Sequence, residues 1–405
     1  MTRSNTNNIQ ARKHNPDYSI ILTVAVLILI GLVVLFSIGP ALEISTGITV
    51  GKQFVSIIFG LIAFAVTFLV PLSFWHRAQK YLVGLAVIAT TVLLLAPGGV
   101  INPDIKGAKR WLVFGPVSFQ PSELVKFALL IYLAAFLAKK AKHNKLNDPH
   151  ETLFPVAIIT GILGFIIVIL ERDLGTMLAI TSIIVAMLYV AGLRLRQMSA
   201  FFGALAGVGA LAVALAPHRI ERLTTFLNPG GDLEGSGYHI NQALIAVGSG
   251  GLFGLGLGKS VQAYGYLPEA ANDSIFAIYA EKFGFLGTLV IVTLFGYLLI
   301  KLARIVQHAP NTYTRLIAAG VFAWIGSHTI INIGAILGIL PLTGITLPFL
   351  SYGGSSLIFI MAAVGLALNV SRYSLSDRVV KSERARASDA HSRNRRGNRR
   401  PRYAA

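Results

Sequence analysis

Residues Leu316–Ser371 run for 56 positions without a formal charge. A bilayer core takes about 20 apolar residues per helix, so a stretch of this length holds two spans and belongs in lipid. Pro341, Gly344 and Pro348 break it near the middle, because proline cannot continue a helix; a re-entrant connection between the two spans is expected there. Charge-free runs at Tyr18–Leu42, Gln53–Trp75, Tyr81–Pro103, Thr152–Leu170, Leu174–Leu193 and Gln197–His218 each suffice for one crossing. Two further spans carry ionisable groups, about Pro121–Leu137 with Glu123 and Lys126, and about Ser274–Ile300 with Glu281 and Lys282. The sum is an all-α integral membrane protein of about ten transmembrane helices. Composition agrees, with 54% hydrophobic and 13% charged residues and a mean hydropathy of +0.69.

Lys and Arg collect on the cytoplasmic side of membrane proteins. With the N-terminus inside, 25 of the 35 basic residues fall in the N-tail, the even-numbered connections and the C-tail, so both termini are expected in the cytoplasm. The first apolar run is too long for a signal-peptide core and reads as a retained anchor. Residues 1–17 form an N-terminal tail, 18–372 the membrane domain and 373–405 a basic tail. The net charge of +18 does not indicate nucleic acid, because 11 basic residues lie from Arg372 onward. Such a segment suits an anionic inner leaflet or a cytosolic partner. The chain has no Cys, so its loops are not held by disulfides.

Two outward connections are long, about 96–120 between spans 3 and 4 and about 216–273 between spans 7 and 8. Loops of this length are usually functional. The second includes an amphipathic pattern, Tyr238, Ile240, Ala243, Leu244 and Val247, suited to a helix in the interface plane. The glycine run Gly248–Ser260 ends Gly258-Lys259-Ser260, yet it lacks the spacing of a phosphate loop. Its glycines instead allow close backbone approach to a helix or ligand. In the first loop, Lys106, Lys109 and Arg110 precede Trp111, then Gln120, Pro121, Ser122, Glu123 and Lys126 follow. Glu123 and Lys126 share a helical face and are placed to pair; cations beside a tryptophan equally suit a lipid phosphate and a sugar.

The stretch Tyr266-Leu267-Pro268-Glu269-Ala270-Ala271-Asn272-Asp273 brings carboxylates to the mouth of a span. Asp273 can cap the helix that follows or, partly desolvated, serve as a general base. Glu281 is expected to pair with Lys282 or with a base on a neighbouring helix. Glu171-Arg172-Asp173 forms a tight turn in which Asp173 caps the next span.

The segments Gly107–Trp111, Phe119–Glu123, Asp173–Thr176, Gly235–Tyr238, Tyr266–Glu269, Asp273 and Leu347–Ser356 with Ser351 and Tyr352 resemble, in order, the SEDS family (shape, elongation, division and sporulation). That family contains the peptidoglycan polymerases of division (FtsW) and elongation (RodA). The segment Gly254–Gln262 with Tyr266–Ala270 looks more like the division type. The chain departs at Ala271-Asn272 and Ser274 around the aspartate, at Lys282 and at Arg172. The resemblance implies polymerisation of lipid II onto a growing undecaprenyl-linked glycan at the outer membrane face. Asp273 would be the base. Lys109, Arg110 and Lys126 would bind the pyrophosphate leaving group, with Arg172, Arg219 and Arg222 behind them. Substrate contacts would extend to Trp111, Gln120, Ser122, Glu123, Asp173, Tyr238, Pro268, Glu269, Glu281, Ser351 and Tyr352. It also implies a class B penicillin-binding protein and other division proteins as partners, a septal location, and no cofactor. Asp232-x-Glu234 is too little for a metal site. A lipid II flippase, an elongation-type polymerase and a silent scaffold are the alternative readings.

Overall fold

The computed structural model describes residues 15–38, 46–96, 109–114, 117–214, 216–228 and 237–373. Much of both tails and parts of both long connections, Asp232 and Glu234 among them, lie outside the described residues. Among the described residues, ten segments are long and apolar enough to cross a membrane, as expected. They are α1 (Tyr18–Ile38), α2 (Thr46–Leu69), α3 (Leu72–Leu95), α4 (Pro121–Lys142), Pro149–Leu170, α6 (Leu174–Ala191), α7 (Leu195–Ala214), α10 (Ile275–His308), α11 (Thr312–Ile336) and α12 (Gly354–Ser371). The fifth span is built of α5 (Phe154–Gly164) between two π-helical turns. Two short helices, α8 (Pro217–Leu227) and α9 (Tyr238–Ser249), lie between the seventh and eighth spans.

Local signals set these boundaries. Pro121 opens α4, where its missing N–H costs nothing. Asp173 caps α6 by accepting the Thr176 amide at 2.9 Å, and Gly192 ends that helix in the left-handed conformation. Asn311 and Thr314 form a reciprocal capping box on α11.

Helix α4 packs against α3, α6, α11 and α12, while α12 also lies along α2. In α4 and α12 83% of the spanning window is buried, against 6% in α7. Helices apolar on every side can sit either in the core or in lipid, and here the neighbours decide. The two ends of the bundle differ in kind. At one end Lys301 pairs with Asp17 at 2.9 Å, and the Asn369 side chain donates to the Thr67 and Val70 carbonyls. The opposite end holds the antiparallel hairpin Leu112–Phe114 with Val117–Phe119, the Glu171–Asp173 turn, the Gly250–Ser274 segment and the connection from 337 to 353.

That last connection is non-helical and dips into the bundle, as expected. Its Leu350 backbone rests on Gly31 of α1, where any Cβ would lie 2.7 Å from the Leu350 carbonyl oxygen. Gly31 is seven residues before the end of α1, so the loop reaches about 10 Å along that helix.

Candidate active site

Asp273 sits half-buried, two residues before the start of α10. The helix N-cap is Ser274, with no side-chain cap, which corrects the capping alternative for Asp273. Asn332 of α11 donates from its amide nitrogen to the Asp273 carbonyl and to the Ile345 carbonyl, both at 2.7 Å. One buried side chain thus ties the aspartate to the dipping connection. The Ser274 hydroxyl lies 2.6 Å from His239 Nε2 and 3.5 Å from Asp273 Oδ1, linking α9 to the same place. Tyr352 donates its amide to the Ala271 carbonyl at 2.9 Å. Burial pushes the Tyr352 phenol up from its ordinary pKa.

The first embedded charges pair as their spacing predicts. Lys126 Nζ meets Glu123 Oε1 at 2.9 Å, with both side chains buried. The same ammonium lies 3.3 Å from His328 Nε2 and 5.1 Å from the centre of the Trp324 ring. His328 Nδ1 in turn faces the Thr346 carbonyl at 3.3 Å. The pair therefore supports the dipping connection from below. Next to it, Ser122 is fully buried. Ser351 Oγ accepts the Leu347 amide, and its carbonyl accepts from Gln53. Gln120 donates to Asp173 Oδ2 at 3.4 Å and, from its amide, to Ser355 Oγ at 3.1 Å.

Arg110, which the resemblance gives to the leaving group, is engaged within the protein. Its guanidinium donates to the Glu171 carbonyl at 3.0 Å and to the Arg172 carbonyl, clamping the loop to the turn between α5 and α6. Lys109 and Trp111 stand half-buried on either side. Beneath the clamp, both Glu171 carboxylate oxygens are buried without a hydrogen bond in the protein. Burial first, then the Asp173 charge, pushes the Glu171 carboxyl up to about 8, against the pull of Arg110.

The second acid and lysine form no salt bridge with each other, which corrects the expectation for Glu281. Its carboxylate accepts the Ser260 hydroxyl and the Val261 and Gln262 amides, the latter two at 2.8 and 3.1 Å. Lys282 donates to the Leu257 carbonyl at 2.8 Å. The helix is interrupted here, at Gly284 with φ of 66°, and the glycine run fills the gap. Leu255 and Gly256 donate to the Glu281 and Lys282 carbonyls, while Phe285 donates back to Gly251. A Cβ at Gly254 would lie 2.1 Å from the Lys282 carbonyl oxygen, so the glycines serve close backbone packing, as read from the sequence.

Tyr238 opens α9, and Pro268 lies half-buried in the segment before Asp273. Glu269 is exposed at φ of 51° and accepts from Asn272 at 2.6 Å. The Arg219 and Arg222 side chains fall outside what is described. His239, Asn332 and His328 are the residues that sequence reasoning missed. Asn332 and His328 lay inside a 56-residue uncharged run, where their polarity in a lipid span was the available signal.

These features define a polytopic membrane protein whose buried polar groups, Asp273 among them, gather at one end of its bundle. The chain belongs to the FtsW/RodA/SpoVE family of cell cycle proteins, whose model matches residues 17–376. Stage V sporulation protein E of Bacillus subtilis is 38% identical over 370 residues, covering 90% of this chain and 99% of that protein. A Coxiella burnetii protein named probable peptidoglycan glycosyltransferase FtsW is 41% identical over 308 residues, 74% of this chain and 80% of the relative. Among solved structures, a chain from work on a peptidoglycan synthase complex that coordinates polymerization and crosslinking superposes with a TM-score of 0.71. It is 28% identical, over 88% of this chain and 98% of that one.

Proposed function

We propose that the chain is a peptidoglycan glycosyltransferase that polymerises lipid II at the outer face of the cytoplasmic membrane during cell division. The observation that carries this reading is Asp273 itself, a half-buried acid whose backbone carbonyl is held by Asn332 where the loop segments meet. Asp273 takes the proton from the acceptor sugar's 4-hydroxyl as that oxygen attacks the donor's anomeric carbon. The bond from that carbon to the pyrophosphate oxygen breaks, and its electron pair leaves on undecaprenyl pyrophosphate. One displacement inverts the anomeric centre and needs no covalent enzyme intermediate. Lys109 faces the leaving group's growing charge, with Arg219 and Arg222 on α8 as further cations. Arg110 shapes their loop through its carbonyl clamp.

The end bearing Asp273 is the outer one, because most basic residues belong to the opposite side. Transport would need Glu123, Lys126, Glu281 and Lys282 to line a polar path. Each is instead engaged by fixed partners in the bundle or loop, which supports polymerisation over flipping. A class B penicillin-binding protein is the expected partner, in line with the synthase complex that the solved relative comes from. Other division proteins and the septum follow from the same reading.

Asp273→Asn tests the assignment. Ser274, not Asp273, occupies the helix N-cap, so the substitution has no cap to lose. Purified variant given labelled lipid II should make no glycan chains while melting at the wild-type temperature. Chains of wild-type length would sink the proposal.

A further inference from the structure

Ser274 stands at the N-cap of α10 without capping it. An N-cap serine ordinarily turns its hydroxyl onto the amides of the first turn. Ser274 instead has backbone angles of φ −94° and ψ 5° and makes no such bond, although its side chain is fully buried. The hydroxyl is turned to two polar side chains, with His239 Nε2 at 2.6 Å and Asp273 Oδ1 at 3.5 Å. His239 is half-buried in the first turn of α9, and Asp273 is half-buried beside the serine. A hydroxyl carries one proton and two lone pairs. It can therefore donate to the imidazole or to the carboxylate, but not to both, and the shorter distance is to the imidazole.

We propose that His239 is a positioning residue for Asp273, acting through the Ser274 hydroxyl to set how basic the carboxylate is. The inference rests on Asp273 being the base of the polymerase reading. With His239 neutral and Nε2 unprotonated, the serine proton lies toward Nε2 and the hydroxyl oxygen turns a lone pair to Asp273. That lone pair opposes a charged carboxylate and accepts from a protonated one, so Asp273 takes the acceptor's proton more readily. The proton moves from the acceptor hydroxyl to Asp273 and stays there during the transfer; serine and histidine keep their own. With His239 protonated, Nε2–H donates to Ser274 Oγ and the serine proton turns to Asp273 Oδ1. That hydrogen bond and the imidazolium charge both hold the carboxylate ionised and weaken it as a base. The neutral imidazole is thus the working form, and activity rises with pH as His239 sheds its proton. Helix α9 packs against α10 and α11, and its Ile240 and Leu244 lie against Gly338 of the dipping connection. At this end of the bundle those elements bring Tyr279, Glu281, Lys282, His328 and Tyr352 as titratable groups, beside Tyr238 on α9 itself. Glu281, Lys282 and His328 are held by the partners described above. Lys259, Tyr264, Tyr266 and Glu269, in the segment before α10, are exposed.

The full-length protein should be assayed on labelled lipid II from about pH 5 to about pH 9, across the ordinary histidine value near 6.5. In wild type kcat/KM should fall on the acid side as His239 gains its proton. His239→Gln keeps a side chain that can reach Ser274 but does not titrate. Ser274→Ala removes the link, and the helix has no side-chain cap to lose. Each substitution should flatten the acid limb and lower kcat about 10-fold, the worth of one hydrogen bond. KM and melting temperature should hold, because the assignment gives neither residue a contact with substrate. The double variant should be no slower than the slower single one, since both act through one hydroxyl. Either single variant gives the pH readout should the other melt early. An acid limb unchanged in the variants overturns the inference, as does a double variant whose losses multiply or a rise in KM with kcat unchanged. Those outcomes leave the polymerase reading standing, because that reading fails separately if Asp273→Asn still makes glycan.

Discussion

Two acid–lysine pairs enter the bundle from the same end, and they solve the cost of burial in different ways. Glu123 and Lys126 stand one helical turn apart on α4 and neutralise each other, with His328 and Trp324 around the ammonium. Glu281 and Lys282 are adjacent in sequence on α10, which points their side chains apart. Each finds its own backbone partners in the glycine-rich segment. The first pair is therefore a unit, whereas the second is two separate staples on one loop. Adjacency in sequence says little about which charges meet; helical spacing says more. Glu171 shows a third solution, a carboxyl held neutral by burial.

The largest effect should come from breaking the unit. Lys126→Met leaves Glu123 buried and uncompensated, which should cost roughly 3–5 kcal/mol and appear as a steep drop in melting temperature. Replacing both with leucine should return most of that stability, yet activity should stay low because the link to His328 and the dipping connection is gone. A double-mutant cycle on this pair should therefore give strong coupling. The same cycle on Glu281 and Lys282 should be additive within about 0.5 kcal/mol. Strong coupling there would erase the distinction.

Glu171 offers a pH-dependent comparison. Unfolded, its carboxyl ionises near the ordinary 4.5; folded, only at about 8. Over that interval the unfolded chain has shed the proton and the folded one has not, so rising pH favours unfolding. Melting temperature should decline between pH 5 and 8, and Glu171→Gln should flatten the decline. An unchanged slope in that variant would mean the carboxyl is ionised in its pocket.

Smaller effects belong to the staples. Glu281→Ala strands the Val261 and Gln262 amides, at about 2 kcal/mol, and should expose the segment around residues 257–266 to protease before the bundle unfolds. Lys282→Met removes one donor from a carbonyl and should cost about 1 kcal/mol, with little change in proteolysis. A larger loss from Lys282 than from Glu281 would reverse the assignment of the stronger staple.

Much of this was legible in the chain. Ten spans, the Asp173 cap, the Glu123–Lys126 pair and the packing glycines all follow from periodicity, spacing and local backbone rules. The partners of Glu281, the Arg110 clamp and the Asn332 bridge did not. Each joins residues far apart in sequence, and nothing local to Arg110 indicates that its loop lies against the turn at Glu171. The Asp273 cap was a fair inference from an acid before an apolar run, but the N-cap falls one residue later, at Ser274.

The contact between Gly31 and Leu350 also has a consequence for biogenesis. Helix α1 and the connection from 337 to 353 meet there although they are far apart in the chain, and Gln53 reaches Ser351 across 298 positions. A chain synthesised only as far as Asp273 therefore lacks these contacts and the Asn332 tie to its carbonyl. The packing of the early helix α2 is thus completed only by the late helix α12 that lies along it.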